Sequence, residues 1–312
     1  MTRGWLLSCG DALIDFMPTE SKDGTRVMEP IVGGSCLNIA VAMARLGAPT
    51  GFVGALSTDM FGDMIAQHAE ASGVDLRFCD RLPNQNTLAF IQLNPDNSAS
   101  YAFYDEGSAA RAWRFQPERF PWAEIAALHV GSTTLIDDPS SSETLALARA
   151  AKAAGVLVSL DPNCRPILVK DRNDFRARIA TFAREATVIR MSDEDFEFLY
   201  GTANTDTIAE GFLAQGVELV VLTRGRHGAT AWNKAAGGVH IPAPEIRIAD
   251  TIGAGDTFLA ALLVTLQDRG WLRSLDALLP SILGDCLRFA VQAAAITCSR
   301  PGANPPWRDE VA

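Results

Sequence analysis

Several features that would point elsewhere are missing from this sequence of 312 residues. Its six cysteines, Cys9, Cys36, Cys79, Cys164, Cys286 and Cys298, form no CxxC pair. Its four histidines, His68, His129, His227 and His240, show no ligand spacing, so a structural zinc site is not expected. Positive charge is scarce: 27 Lys and Arg against 37 Asp and Glu give a formal net charge of −10. There is then no reservoir for sequence-independent binding to nucleic acid or an anionic membrane, and neither is expected as a partner. No uncharged apolar run reaches the roughly 18 residues that a membrane helix needs. The opening MTRGWLLSCGDALIDFMP is interrupted by Asp11 and Asp15 and does not read as a signal peptide, so cytoplasmic localisation and reduced thiols are expected. The absence of GxxxxGK(S/T) excludes a P-loop kinase. No GxGxxG follows the first strand-like run, which weighs against a dinucleotide-binding dehydrogenase, and neither HExxH nor GxSxG occurs.

What is present is ordinary globular material, 48% hydrophobic and 21% charged. At roughly 150 residues per domain, the length allows two domains or one large α/β domain with an appendage. Strand-like runs at 5–9, 51–56, 126–131, 156–161, 187–191 and 219–223 alternate with helix-like runs at 35–46, 61–72, 141–154, 173–185, 193–200 and 205–215. Short apolar strands alternating with helices predict βαβ units around a parallel sheet, with helices on both faces. Residues 15–33 and 86–105 break the rhythm. TLAFIQLN and SASYAFY, split by the turn-like PDN at 95–97, predict an antiparallel hairpin, either a decorative edge or a lid over the crevice of the sheet. From 255 onward two helices are expected, 255–269 and 275–298.

The most informative stretch is DTIGAGDTF, Asp250 to Phe258. Gly253 and Gly255 let the backbone turn sharply and approach a ligand. The helix that starts at once leaves its first amides without intrahelical partners, and its dipole favours negative charge there. Gly253, Ala254 and Gly255 thus make an anion cradle, with Asp256 at its mouth as a candidate general base for a hydroxyl. A second reading stays open on local chemistry alone: Asp256 caps the helix and the glycines form a tight turn.

DTIGAGDTF closely resembles the second signature of the ribokinase-like, or PfkB, carbohydrate kinases, and Gly33-Gly34-Ser35-Cys36-Leu37-Asn38-Ile39-Ala40 resembles their first, with Cys36 where Gly, Ala or Pro is commoner. The resemblance runs along almost the whole chain. It implies a three-layer α/β/α fold with a mostly parallel central sheet and a small β-strand lid. It also implies one kinase domain over 1–312, with lid segments at about 15–33 and 86–105. The implied activity is transfer of the γ-phosphate of ATP to a sugar hydroxyl, with Mg²⁺ as cofactor. Asp256 would deprotonate the hydroxyl and the 253–255 amides would form the anion hole.

The resemblance assigns further residues. Asp11 and Asp15, four apart and so of one parity on a strand, would grip sugar hydroxyls together with Gly33, Gly34 and Asn38, although Asn38 also reads as a buried amide bracing its loop. In Asp161-Pro162-Asn163-Cys164-Arg165 the guanidinium of Arg165 supplies a planar fork for an anion; the usual aromatic beyond it is replaced around Val169. Ser192 and Glu194 resemble an NxxE-like element that organises magnesium-bound water, although Ser192-Asp193-Glu194 is also an ordinary helix start. Thr223, Gly225 and Gly228 resemble a turn beside the nucleotide. Asp250, with the backbone of the 295–303 segment, would hold a monovalent cation, K⁺. His129, on an apolar strand, reads as a satisfied core histidine.

GDALIDF, DPNCR, SDEDFEFLYG and the run Tyr104-Asp105-Glu106-Gly107 look fructokinase-like. Asp105 replaces a basic residue there and Arg111 an acidic one. Fructose is the expected substrate. Other family substrates (ribose, 2-keto-3-deoxygluconate, a nucleoside) and a silent sugar-binding relative stay open. Residues 86–110 contain no basic side chain, which favours a neutral sugar. An apolar lid face would suit a homodimer.

Overall fold

Adjacent residues in the central strands are both buried, which requires a sheet covered on both faces. Leu6, Ala127, Leu157, Val188, Leu219 and Val221 pack into one apolar layer, while their neighbours Leu7, Leu128, Val158, Ile189 and Val220 pack into the other. The computed structural model describes residues 3–93 and 99–311. Its strands are β1 (Trp5–Cys9), β2 (Leu13–Glu20), β3 (Arg26–Gly33), β4 (Thr50–Ser57), β5 (Cys79–Leu82), β6 (Thr87–Leu93), β7 (Ala99–Tyr104), β8 (Ile125–Gly131), β9 (Leu157–Asp161), β10 (Val188–Ser192), β11 (Leu219–Thr223), β12 (Ala229–Asn233) and β13 (Gly237–Ile241). Its α-helices are α1 (Ser35–Arg45), α2 (Met60–Ala71), α3 (Ala109–Ala112), α4 (Ser140–Ala153), α5 (Arg172–Ala183), α6 (Asp193–Tyr200), α7 (Thr205–Ala214), α8 (Ala254–Asp268) and α9 (Pro280–Cys298).

Nine strands form the main sheet in the order β13-β12-β11-β10-β9-β8-β1-β4-β5, parallel from β5 to β11 and antiparallel at the β12 and β13 edge. Helices α1, α8 and α9 cover one face, and α4, α6 and α7 lie against the other. This is the expected three-layer α/β architecture. Each central run of the sequence lands within a residue or two of its strand, because a buried parallel strand must be apolar on both sides. The edge strands β5 and β13 carry partly exposed polar residues, so their sequences give no such signal.

The two arrhythmic segments build one sheet, β3-β2-β6-β7, rather than a lone hairpin. The expected pairing is present, with Leu88 opposite Tyr104, and β2 joins it parallel to β6. Phe16 of β2 stacks on Phe90 of β6 at 4.6 Å between ring centroids. The expected turn at 95–97 lies outside the described residues.

Two expectations need correction. The last helix begins at Pro280 and not at 275, since proline suits the first helical position and holds Leu279 extended. Asp11 and Asp15 do not share a strand: β1 ends at Cys9, and Gly10 turns the chain at φ 156° so that Asp15 enters the second sheet. Helix α9 is long and apolar enough to cross a membrane by length and composition alone, but it carries Asp285 and Arg288 and packs against α8.

Leu128 is fully buried in the apolar layer beneath α4. Leu128→Ala is expected to cost about 2–5 kcal/mol of unfolding free energy, read from urea denaturation, through lost contacts and the cavity left behind.

Candidate active site

The order of the main sheet reverses at β1, which has β4 on one side and β8 on the other. In open α/β sheets ligands bind beyond the carboxyl ends of the strands at this point. Asp11 follows β1 there, and Asp161, Ser192 and Thr223 end β9, β10 and β11.

Asp256 lies in the first turn of α8 and does not cap it. The cap is Gly253, in the left-handed conformation at φ 74°, where a Cβ would lie 2.8 Å from that of Ala303. The Asp256 carboxylate crosses to α1 instead. Its Oδ1 accepts from Ser35 Oγ at 2.7 Å and its Oδ2 from Asn38 Nδ2 at 3.0 Å. The capping reading is thereby excluded. Burial holds the pKa of Asp256 above the ordinary carboxylate value, against the opposing pull of Ser35, Asn38 and Arg190. A carboxylate tuned upward is better matched to a base working near neutral pH. Helix geometry leaves the Gly255 and Asp256 amides without intrahelical acceptors, and no side chain caps them.

Helix α1 is likewise capped by a glycine, Gly34, at φ 108°. A Cβ there would lie 2.6 Å from the carbonyl oxygen of Asp11. Asp11 braces this start. Its Oδ1 accepts from the Cys36 amide at 3.0 Å, its Oδ2 from Ser132 Oγ at 2.9 Å, and its own carbonyl from the Leu37 amide at 3.2 Å. Both carboxylate oxygens are thus engaged within the chain, although Asp11 still faces a cleft between the sheets that is also lined by Leu13, Thr87, Phe103, Asp105 and Arg111. Cys36 is accommodated by Gly10, where a Cβ would lie only 2.2 Å from its Sγ.

Asp15 is half-buried on β2. A Cβ on Gly33 would lie 2.3 Å from its Oδ2, so glycine at 33 makes room for this carboxylate. Burial first and Asp11 second push its pKa up to about 6, while Arg165 pulls it down. Arg165 is half-buried in the loop after β9 and donates through Nη1 to the carbonyls of Asn163 at 3.0 Å and Cys164 at 3.2 Å. Val169 packs on the apolar layer and Leu168 lines the cleft in place of the altered aromatic wall.

The C-terminal half is arranged more simply. Ser192 caps α6 in a reciprocal pair with Asp195, which occupies the side chain assigned to nucleotide contact. Glu194 is exposed on the first turn of the same helix. Thr223 Oγ1 accepts from Arg190 Nη2 at 2.5 Å. Gly225 and Gly228 both have positive φ, and a Cβ on Gly228 would meet the Ile241 carbonyl at 2.1 Å. Asp250 accepts from the amides of Ile252 at 3.0 Å and Gly302 at 2.9 Å, tying the signature to the 298–303 segment. Among the described residues no cluster of His, Cys, Asp or Glu could hold a metal ion by itself.

One function in the site escaped the sequence reading. Asn163, at φ 38°, donates to Ser35 Oγ at 2.6 Å and extends the Asp256 clasp to β9. Arg111 joins Asp105 at 3.0 Å and also pairs with Asp137, so the reversed charges close on each other at the cleft. His129 is buried with Nδ1 3.3 Å from Ser159 Oγ, but Nε2 has no partner among the described residues, so it is only half satisfied. Burial and Arg190 lower its pKa to about 3, which keeps it neutral. A wider hollow on the lid, lined by Pro18, Arg26, Met28, Phe90 and Tyr101, contains none of the expected site residues.

An α/β/α sandwich with its crevice at the switch point, a β-sheet roof and a buried carboxylate beside a glycine-capped helix start is the ribokinase-like kinase arrangement. A fructokinase from Xylella fastidiosa, solved with bound ATP, is similar over 97% of this chain and 94% of its own, with a TM-score of 0.87 and 28% identity. A fructokinase from Vibrio cholerae O395, solved with fructose, ADP and calcium, covers 96% of this chain and 94% of its own, with a TM-score of 0.82 and 25% identity. A fructokinase of Rhizobium leguminosarum bv. trifolii is 37% identical over 262 residues, 84% of this chain and 79% of that protein. The model of the pfkB family carbohydrate kinase matches residues 6–310, and the chain belongs to this family. It is a phosphotransferase acting on a sugar hydroxyl.

The raised pKa of Asp15 yields a stability test. Its folded value, about 6, exceeds its ordinary 3.8, so ionisation in the folded protein costs stability. The cost is absent below about pH 4 and complete above about pH 6. Asp15→Asn is expected to melt higher than wild type at about pH 8, with the gain vanishing by about pH 3.5. A thermal melt across this range checks it; a gain that persists in acid contradicts it.

Proposed function

We propose that this kinase transfers the γ-phosphate of ATP to a hydroxyl of fructose, with residues 1–312 acting as one kinase domain. The observation that carries the reading is the Asp256 carboxylate, buried, held by Ser35 and Asn38 rather than capping its own helix, and set beside uncapped amides. The substrate follows from the relatives named fructokinase. The sugar lies in the cleft between the sheets. Asp15 accepts its hydroxyls, with Asp11, Gly33, Gly34 and Asn38 shaping the same wall. Asp256 takes the proton of the attacking hydroxyl as the phosphoryl group moves in line, while the amides of the Gly253-Ala254-Gly255 turn, of which that of Ala254 also donates to the Thr251 carbonyl at 3.3 Å, and the guanidinium of Arg165 offset the charge that develops.

ATP lies along the ends of β10 and β11, beside Ser192, Thr223, Gly225 and Gly228. Mg²⁺, when bound, neutralises phosphate charge. Glu194, exposed on the first turn of α6, would order its water, and a lone carboxylate suits an ion held largely by phosphates and water. Asp250, which gathers the 298–303 backbone, would support a K⁺ site in that loop. The lid covers the cleft and excludes competing water. Its half-exposed apolar side chains, among them Val27, Met28 and Ile31, suit a second copy of the chain. A cytoplasmic setting accords with six unpaired cysteines.

A panel of sugars with ATP and Mg²⁺, followed by ADP release, tests the assignment. Fructose is expected to turn over fastest. Faster turnover of ribose, 2-keto-3-deoxygluconate or a nucleoside removes the fructose assignment, and no release with any sugar returns the chain to a silent binder. Asp256→Asn is expected to fold, bind ATP and lose about 10²–10⁴-fold in kcat; wild-type-like turnover would remove Asp256 as the base.

A further inference from the structure

Arg190 is the central residue of β10, VIRMS, and no signature motif includes it. Its guanidinium is only 7% exposed and lies directly under the first turn of α8. A Cβ on Gly255 would be 2.6 Å from its Nη2 and 2.9 Å from its Nη1. Nη1 donates to Asp161 Oδ2 at 2.7 Å and Nη2 to Thr223 Oγ1 at 2.5 Å, while Nε has no partner among the described residues. Burying a guanidinium is costly even when it is paired. A second function for Gly255 follows from this contact: any side chain there would displace the guanidinium from the base of the helix.

Charged groups meet Arg190 from several elements. Asp161 faces it from β9, Asp195 from α6 and Asp256 from α8; His129 of β8 is neutral. Around Asp256 itself stand Ser35 and Asn38 of α1, Arg190 of β10, Asp11 of the β1–β2 turn and Asp161. Three acids therefore converge on one buried cation, and of these Asp161 is in direct contact with it.

We propose that Arg190 is the electrostatic floor of this site: from beneath α8 it holds Asp256 as a carboxylate and adds positive potential to the amides above it, without touching either substrate. It is a positioning residue for the phosphoryl transfer, and the inference rests on the kinase reading above. Arg190 favours the ionised form of Asp256, the form that accepts a proton; Asp161 disfavours it. Removing the two partners should then move the acidic limb of the pH profile of kcat/KM in opposite directions.

Arg190→Gln is expected to lower kcat about 10–100-fold with KM for the sugar nearly unchanged, and to move the acidic limb up by about one pH unit. Arg190→Lys should restore most of kcat and the wild-type limb. Asp161→Asn, nearly isosteric, should move the limb down. ¹³C NMR titration of the Asp256 carboxyl reads the same shifts without turnover. Damage to packing alone would leave the limbs in place or move both in one direction, and either result overturns the proposal. Should Arg190→Gln not fold, Asp161→Asn decides alone: a lower limb supports the floor, and an unchanged or higher one overturns it. A wild-type protein that phosphorylates no sugar, with Arg190→Gln and Asp161→Asn still shifting the Asp256 NMR titration in opposite directions, removes the kinase reading and leaves the action of Arg190 on Asp256 intact.

Discussion

The clasp between Asp256 and the start of α1 is the interaction on which the site depends. Residues 221 and 218 positions apart in the chain, Ser35 and Asn38, converge on the two oxygens of one buried carboxylate. Hydrogen bonds to a charged, buried acceptor are stronger than neutral ones, and leaving such an acceptor unpaired is costly. The clasp therefore fixes α8 against α1, and with them the amides that neither helix caps with a side chain. Asn163 continues it to β9, so three elements share one hydrogen-bonded chain.

Acids held above their ordinary pKa mark the same region. Asp15 and Asp161 are each pushed up to about 6 by burial, and Asp256 is raised as well. Each costs folding stability at neutral pH. That cost is met by the apolar layers on both faces of the sheet, where α8 and α9 on one side and α4 to α7 on the other bury nearly continuous runs of Ala, Leu, Val and Phe. A rigid, two-sided scaffold can tolerate several destabilising acids gathered at its edge.

Much of this was readable in the residues. Buried parallel strands announce themselves as apolar runs, and the glycines of GGSCLN and GAGD are demanded by contacts of about 2–3 Å that a Cβ would create at Gly33, Gly34, Gly253 and Gly255. Edge strands were harder, because one exposed side removes the apolar signal. The helix-capping function of Ser192 was visible locally, and its hydroxyl engages Asp195 in that cap. Asp11 and Asp15 misled through parity, since a single glycine between β1 and β2 breaks the strand that the parity presumed.

The sequence alone indicated the layers, because periodicity is a local property, and it indicated the type of chemistry through the resemblance of its two signatures to those of the PfkB kinases. Tertiary structure decided which atoms meet. Only the folded chain could show that Asp256 binds α1 instead of capping α8, that Arg111 pairs with both Asp105 and Asp137 at the cleft, and that Arg190 lies beneath Gly255. Each is a contact between residues whose order in the chain carries no record of their approach, made specific by burial, where an unpaired charge is too costly to remain.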